Sequence, residues 1–269
     1  MKIEYSFYDV RRRIRLPKIS DSLAEFFGIL FGDGSVIDTE RIHRIVISLN
    51  LKEDSVYKDY VFQLIKKLFG IEPKLKRRQR FGKLDLEISS KGISKFLLSL
   101  GYPNGRKKDK LIIPYWILEN RKHLQLFLRG LVDTDGSLFF AKRGTYKLNE
   151  YPVIEIKMHD ENFINQIFYS LKNLGFKVNK TKIKIQLNGK DNLQKWINEI
   201  GFRNLNLQSR YFLWKKLSYC PPKTKLRQRL IMLGWQKAFA CNPVMHISKK
   251  RAEPPAERKI EGSNPSPSF

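Results

Sequence analysis

Two similar nine-residue segments constrain the fold of this chain more than any other feature of its sequence. Residues 26–34 read FFGILFGDG and residues 128–136 read LRGLVDTDG, and each is followed by Ser and a short apolar run. Both predict an apolar helix that ends in a small residue and an Asp-Gly pair. Asp-Gly is a common turn dipeptide, so one copy would say little. Two copies in matching contexts predict a duplicated domain that brings two acidic groups together.

The sequence around the two segments repeats as well. In each half, apolar periodicity and turn residues predict the order helix, two strands, helix, two strands, helix. Gly70 and Gly175 are predicted to end the second helix of each half, and Asp54 and Asp160 are predicted to cap its start. The fold class predicted is therefore α+β, with two pseudo-symmetric αββαββα repeats and largely antiparallel strands.

Changes in composition divide the chain into four segments. Three consecutive arginines, at 11–13, mark a basic N-terminal arm, and Pro103, Gly105 and Pro114 mark a linker between the repeats. Pro, Ser, Ala and charged residues dominate the C-terminal part, which favours disorder there. We predict an arm at residues 1–17, a first repeat with its linker at 18–115, a second repeat at 116–220 and a basic, disordered tail at 221–269.

The charge of the chain indicates a polyanionic partner. Lys plus Arg number 52 against 26 for Asp plus Glu, which gives a net charge of +26. A surplus of this size favours nucleic acid as the partner. The two cysteines lack CxxC spacing, so neither a zinc site nor a disulfide framework is predicted. No apolar run approaches the ~20 residues of a membrane span. We expect a reducing compartment, either prokaryotic cytoplasm near the nucleoid or an organelle.

Small residues recur along both predicted motif helices. Gly28 and Gly32 lie on one helix and Gly130 and Thr134 on the other, at a spacing that places each pair on one face. Small residues let two helix backbones approach closely. The carboxylates that end the two helices, Asp33 and Asp135, would then emerge side by side.

Two adjacent carboxylates repel each other unless a cation lies between or beside them. Oxygen ligands favour a hard ion, most simply Mg²⁺, with Mn²⁺ as a tolerated substitute. Hard cations beside a phosphodiester predict phosphoryl-transfer chemistry. The sequence therefore predicts Asp33 and Asp135 as catalytic metal ligands.

Over residues 16–217, these features resemble the LAGLIDADG homing endonucleases in their single-chain form with two motifs. The resemblance implies a four-stranded antiparallel sheet in each half, the two sheets forming a saddle on DNA. It also implies that Asp33 and Asp135 each cut one strand across the minor groove and leave short 3′ overhangs. The backbone carbonyls of Gly32 and Thr134 would be further metal ligands.

The first motif departs from the family name at its sixth position, where Phe31 stands in place of an acidic residue. The resemblance implies that this position does not bind metal, so we expect Asp133, its counterpart, to cap or pack. The resemblance also implies a basic residue near each site that organises the attacking water. Lys52 fits the first half, Lys108 in the linker is a second candidate, and Lys142 or Lys157 would serve the second half.

DNA recognition is predicted for basic residues on or beside the strands. Because strand residues at i, i+2 and i+4 share one face, Lys180, Lys182 and Lys184 are expected to line a groove. The two halves differ at these positions, which predicts a long asymmetric target in double-stranded DNA and a monomeric enzyme. The predicted DNA-binding residues are Arg41, Arg44, Lys76, Arg78, Arg80, Lys142, Lys157, Lys180, Lys182 and Lys184.

The C-terminal residues 261–266, EGSNPS, can be encoded by the common T-arm sequence of transfer RNA genes. We therefore expect an intron-encoded, site-specific endonuclease that targets a tRNA gene. Two other functions fit the same fold, namely a maturase that binds intron RNA and a DNA-binding regulator with a silent nuclease site. The two intact motif aspartates argue against the regulator.

Overall fold

The computed structural model describes residues 3–144 and 148–235 of the chain. A short helix, α1 (Phe7–Arg11), precedes the first repeat. The first repeat contains α2 (Asp21–Asp33), β1 (Gly34–Asp38), β2 (His43–Asn50), α3 (Tyr57–Phe69), β3 (Lys74–Arg78), β4 (Lys83–Ser89) and α4 (Lys91–Ser99). The remaining elements are α5 (Tyr115–Leu118), α6 (Arg121–Asp135), β5 (Gly136–Ala141), β6 (Tyr151–Lys157), α7 (Glu161–Asn173), β7 (Val178–Thr181), β8 (Lys184–Asn188), α8 (Lys190–Glu199), α9 (Leu205–Leu217) and α10 (Leu226–Leu233).

Each repeat folds around one antiparallel four-stranded sheet. The strand orders are β1-β2-β4-β3 and β5-β6-β8-β7. Gly34 pairs with Ile47 and Gly136 with Ile156, so the residue after each motif aspartate has the same place in its sheet. These sheets confirm the predicted α+β class and the predicted order of elements. None of the described helices is long and apolar enough to cross a membrane.

Both sheets have an apolar face against the helices and a polar face on the opposite side. In β2, Ile45 and Ile47 are buried, and Arg44 and Ser48 alternate with them. Following the strand register, the polar sheet face of the first repeat contains Arg44, Ser48, Asn50, Lys74, Lys76, Arg78, Lys83, Asp85 and Glu87. The polar sheet face of the second repeat contains Glu155, Lys157, Asn179, Lys184, Gln186 and Asn188.

The two motif helices, α2 and α6, pack against each other at backbone contact distance. A Cβ atom added to Gly28 would lie 2.0 Å from the Phe127 carbonyl oxygen, and one added to Gly130 would lie 2.3 Å from the Glu25 carbonyl oxygen. The two contacts are related by the same pseudo-twofold axis that relates the repeats. The predicted small-residue interface is therefore confirmed.

One buried ion pair also links the motif helices. Arg129 Nε and Nη2 donate to the two carboxylate oxygens of Glu25 at 3.0 and 2.6 Å. Both side chains are largely buried. Removing one partner of such a pair costs about 3–5 kcal/mol, because the other charge is left buried and unpaired. The pair joins the first repeat to the second across the interface.

Sequence reasoning about helix starts succeeded in one repeat and failed in the other. Asp160 caps α7, as predicted, by accepting a hydrogen bond from the Phe163 N–H at 2.9 Å. The corresponding prediction for Asp54 is wrong, because α3 begins at Tyr57 and its N-cap is Val56. Asp54 instead lies in the preceding turn and accepts a hydrogen bond from the Asn50 N–H.

The N-terminal segment packs on the first repeat through a buried carboxylate. Asp9 is fully buried and accepts hydrogen bonds from the Ser6 hydroxyl at 2.8 Å and the Gly92 N–H at 3.1 Å. Arg15 donates its backbone N–H to Phe69 at the end of α3. The predicted basic arm thus includes a helix that is anchored to α4.

The C-terminal segment forms a helix where disorder was predicted. Helix α10 packs on α9 through Arg229, which is fully buried. The Arg229 guanidinium donates to Ser209 Oγ at 2.9 Å and to the Asn206 side chain, and lies 3.6 Å from Glu53 of the first repeat. The prediction of a disordered tail from residue 221 is therefore wrong for residues 226–233. Residues 236–269, including EGSNPS, lie outside the described residues.

Candidate active site

The two motif helices end side by side, and each ends in an aspartate. Asp33 is the last residue of α2 and Asp135 the last residue of α6. A Cβ atom added to Gly32 would lie 2.0 Å from Thr134 Oγ1 and 3.5 Å from the backbone nitrogen of Asp135. The chain turns directly into β1 and β5 after the aspartates, so both carboxylates lie where the helix pair meets the two sheets.

The local environment disfavours the ionised form of both aspartates. Burial, followed by the negative charges of Asp135 and Asp54, raises the pKa of Asp33 to about 7. Crowding by the surrounding chain also raises the pKa of Asp135, although its side chain remains open to solvent, and the charge of Lys107 opposes this shift. Two ionised carboxylates are therefore disfavoured here unless a further positive charge is supplied.

Lys107, in the linker, is the basic residue whose charge lowers the pKa of both aspartates. Its Nζ donates to the carbonyls of Leu30 at 3.2 Å and Phe31 at 2.9 Å, and also to that of Gly32. These carbonyls form the negative end of the α2 dipole, which favours a cation. Burial lowers the pKa of Lys107, and the charges of Asp135 and Asp33 oppose this.

The structure places Lys107, the residue before the predicted Lys108, at the end of the motif helix. Lys107 contacts the motif helix, whereas Lys108 is exposed. Lys83, at the first position of β4, was not expected beside Asp33, but its charge lowers the pKa of Asp33. The linker has no regular period, so the sequence could indicate a lysine near the site without showing which one enters it.

Lys52 is exposed and lies just after β2, in the turn that leads to α3. Its side chain lines a cavity between this turn and α10. The positive charges that act on Asp33 belong to Lys107 and Lys83. A catalytic role for Lys52 therefore stays a prediction.

The second motif residue Asp133 has a structural role, as expected. It is 2% exposed and accepts a hydrogen bond from the Arg203 N–H at 2.8 Å. Burial raises its pKa to about 7. Asn204 donates both to the Asp133 carbonyl and to the Asp54 carboxylate, each at 2.8 Å. This network joins the start of α9 to the turn beside the first aspartate.

Phe31, at the matching position of the first motif, lies in the core. It is fully buried, and its ring centroid lies 5.2 Å from that of Phe127 and 5.3 Å from that of Tyr102. An acidic side chain at this position could not make the apolar contacts that Phe31 makes with these two rings.

The predicted DNA-binding residues of the first repeat lie on or beside its polar sheet face. Arg44, Lys76 and Arg78 lie on that face. Arg41 lies in the turn between β1 and β2, and Arg80 lies in a short 3₁₀ helix, Gln79–Phe81, between β3 and β4. These basic side chains therefore lie on and around one sheet face, and Lys83 of the same face acts on Asp33.

In the second repeat, the prediction that Lys180, Lys182 and Lys184 line one groove is wrong. Lys184 lies on the polar sheet face opposite Lys157, whereas Lys180 pairs with buried Ile185 and so faces the helices. The Lys180 ammonium reaches Asn165 and lies 5.3 Å from the Phe168 ring of α7. Lys182 lies in the hairpin turn, 3.7 Å from Glu161. Exposed Lys142 follows the end of β5.

The oxygen donors at the helix ends fit a hard divalent cation. Among the described residues, no group of three or more His, Cys, Asp or Glu side chains is arranged to hold a metal ion. A cation at Asp33 and Asp135 would therefore complete its shell with backbone carbonyls and water, which suits Mg²⁺. Both carboxylates have a raised pKa because their ionised forms are disfavoured. A bound cation would stabilise these ionised forms.

Without divalent cations, the protein is expected to lose stability as the pH rises from 4 to 7. Below pH 4, Asp33 is protonated in both the folded and unfolded states. Between its usual pKa and about 7, only the unfolded state releases the proton, so the free energy of unfolding falls by a few kcal/mol. In urea titrations with EDTA, Asp33→Asn should exceed the wild type in stability at pH 8 and match it at pH 4.

Two controls accompany this measurement. Asp191→Asn removes an exposed carboxylate and should leave the pH dependence unchanged. Mg²⁺ should stabilise the wild type at pH 8 and have less effect on Asp33→Asn. Equal pH dependence in the wild type and Asp33→Asn would contradict the assigned environment of Asp33.

Comparisons with known proteins agree with the geometry. Residues 122–205 match the family model of the LAGLIDADG-like domain. The replication factor C small subunit of Thermococcus kodakarensis is 25% identical over 78% of this chain and 25% of its own length. The tRNA-splicing ligase RtcB of Pyrococcus abyssi is 26% identical over 69% of this chain and 22% of its own length. The chain thus spans about a quarter of these curated relatives.

A solved structure of similar fold is I-SmaMI bound to its uncleaved DNA target in the presence of calcium ions. It superposes with a TM-score of 0.50 at 13% identity, covering 75% of this chain and 91% of that one.

Proposed function

We propose that this chain, whose residues 122–205 match a LAGLIDADG-like domain and whose fold is similar to that of I-SmaMI, is a site-specific double-strand DNA endonuclease. The pairing of Asp33 and Asp135 at the symmetric ends of two touching helices carries this proposal. The two carboxylates lie at the junction of two sheets whose polar faces carry basic residues. The net charge of +26 supports a nucleic acid substrate.

Asp33 and Asp135 would hold Mg²⁺, or Mn²⁺ in its place, with the carbonyls of Gly32 and Thr134 as further ligands. A bound divalent cation stabilises the charge that develops on the phosphate. Lys107 positions its ammonium at the same helix end and offsets the charge of both carboxylates. Lys83 places a second positive charge beside Asp33. These lysines would orient water or neutralise the cleaved phosphate.

The chain would act as a monomer on one long asymmetric duplex, because both halves of the site come from one polypeptide. The complex of I-SmaMI with an uncleaved DNA target and calcium supports DNA and a divalent cation as ligands. Most of the exposed lysines would contact phosphates and fix the register on DNA. Binding should therefore weaken steeply with salt concentration.

The target would be a tRNA gene that lacks an intron, and the enzyme would be encoded within that intron. This part of the proposal depends only on residues 261–266, whose codons can spell a T-arm sequence. Codons at residues 262–265 that do not match GGTTCGAATCC would end it without affecting the endonuclease proposal.

A plasmid library with a randomised insert tests the endonuclease proposal, with a plasmid carrying an intronless tRNA gene as a parallel substrate. With Mg²⁺, the purified chain should linearise a small, related subset of the library and leave short 3′ overhangs. EDTA should abolish the reaction. Binding of intron RNA without DNA cleavage would favour the maturase, and uncut, sequence-specific binding of DNA would favour a regulator.

A further inference from the structure

On the polar sheet face of the first repeat, Arg78 is held by a buried carboxylate. Arg78 Nε lies 2.5 Å from Oδ2 of Asp85, and Ser48 Oγ donates to Oδ1 of Asp85 at 2.7 Å. Asp85 is 1% exposed, and its Oδ2 accepts no hydrogen bond from a described residue, so the short approach of Arg78 Nε is its ionic contact. The Arg78 side chain, in contrast, is 54% exposed. A fixed anion therefore orients an exposed guanidinium.

This arrangement leaves part of the arginine available for recognition. A guanidinium has five N–H donors in a rigid plane, and the nitrogen of Arg78 paired with Asp85 is Nε. The side chain as a whole is half exposed, and its terminal amino groups donate to no described residue. In the major groove, guanine offers O6 and N7 as two adjacent acceptors that match an arginine fork. We propose that Arg78 reads one guanine of the bound duplex and that Asp85 positions Arg78 for this contact; the inference rests on the proposed endonuclease function.

A role in stability alone does not explain the pair formed by Arg78 and Asp85. A half-exposed arginine contributes little to stability through such a pair. Burial of the Asp85 carboxylate meanwhile carries a desolvation cost that the exposed partner offsets only in part. The neighbouring pair, Lys76 with Glu87 at 2.7 Å, holds a point charge without a planar fork and suits a phosphate. The contact with Asp85 therefore serves to orient the guanidinium of Arg78.

The position of Arg78 within its sheet restricts which base it reaches. Arg78 pairs across the strands with Lys83, and the charge of Lys83 acts on Asp33. Arg78 therefore lies at the end of the first sheet nearest the candidate active site. The guanine should lie at the inner end of one half-site, near the cut, and not at its outer end.

The second repeat cannot make the same contact. Aligning Gly34 and Ile47 with Gly136 and Ile156 places Lys157 at the position of Ser48 and Lys184 at that of Asp85. Two lysines replace a hydroxyl and a carboxylate, so neither of these two positions offers an anion that could hold an arginine. The guanine preference should therefore occur in one half-site only.

Cleavage profiles test this inference. The wild type, Arg78→Lys, Asp85→Asn and Arg77→Lys are each incubated with Mg²⁺ and a library of single-base variants of the target. Arg78→Lys should reduce the preference for guanine at one inner position about ten- to hundredfold. Asp85→Asn should reduce it at the same position. Arg77→Lys is the matched control, because Arg77 is the next residue of β3 and pairs with buried Leu84, so it faces away from the polar sheet face.

Each outcome bears on a different step. An unchanged profile in Arg78→Lys overturns the reading role. Loss in Arg78→Lys with an unchanged profile in a folded Asp85→Asn overturns the positioning role of Asp85. Thermal unfolding of both variants shows whether a lost preference reflects misfolding. A wild type that neither cuts nor prefers any sequence refutes the proposed function itself and is distinguishable from these results.

Discussion

Replacement of both Asp33 and Asp135 by asparagine is expected to abolish DNA cleavage and preserve DNA binding. Asparagine keeps the shape of each side chain but removes the charge that would hold a divalent cation. Loss of metal-assisted stabilisation at one carboxylate should slow cleavage of its strand by about 10³-fold or more. Binding should persist, because the basic residues of the polar sheet faces are unchanged and two negative charges beside the phosphates are removed.

Each single variant should convert the enzyme into a nickase, because one carboxylate is assigned to each strand. The measurement is the ratio of nicked to linear plasmid over time, with binding followed by mobility shift. Asp133→Asn is the matched control, since Asp133 lies two residues from Asp135 but accepts a hydrogen bond from the Arg203 backbone, which an amide oxygen can also accept. Full linearisation by the double variant would refute the assigned site.

Substitution of Gly28 or Gly130 by alanine is expected to destabilise the protein strongly for so small a change. Alanine favours helix formation by about 0.8–1.0 kcal/mol over glycine. Here its Cβ would lie 2.0 Å or 2.3 Å from a backbone carbonyl oxygen of the facing helix, and a backbone atom cannot move aside as a side chain can. Forcing the helices apart should cost about 3 kcal/mol, the upper end of ordinary overpacking.

Urea denaturation of Gly28→Ala, Gly130→Ala and a control measures this effect. Gly92→Ala is the control, because its nearest neighbour would be the flexible end of the Ile14 side chain at 2.9 Å. Gly92→Ala should change the free energy of unfolding far less. Cleavage should fall with stability in the interface variants, since Asp33 and Asp135 would separate. Wild-type stability of both interface variants would contradict the backbone contact.

The repeated motif allowed much of the fold to be predicted. The small residues and the Asp-Gly pairs predict a close helix interface with both aspartates at one end, and the alternation in β2 predicts a half-buried strand. These predictions succeeded because periodicity and steric fit act over many residues at once. The place of Asp133 was also expected, because the first motif has Phe31 there.

Residues in irregular segments could not be placed in the same way. Lys107 enters the site and Lys108 does not, and no periodicity in the linker distinguishes them. The prediction for Lys180, Lys182 and Lys184 treated a hairpin as one strand. Strand β7 ends at Thr181 and the chain reverses, so the rule that alternate residues share a face does not extend across the turn. Helix α10 was missed because its stability comes from the contacts of buried Arg229, which local composition does not reveal.

The Glu25–Arg129 ion pair makes the two repeats complementary to each other and unsuited to themselves. Under the pseudo-twofold relation of the motif helices, Glu25 corresponds to Phe127 and Arg129 to Phe27. Two copies of the first repeat would bury unpaired carboxylates against phenylalanine, and two copies of the second would bury unpaired guanidinium groups. If the repeats were separated and mixed, they should reassemble as a heterodimer. The ion pair thus makes each repeat pair with the other repeat and not with a copy of itself. A chimaera with a foreign repeat would need a matching charge at one of these two positions.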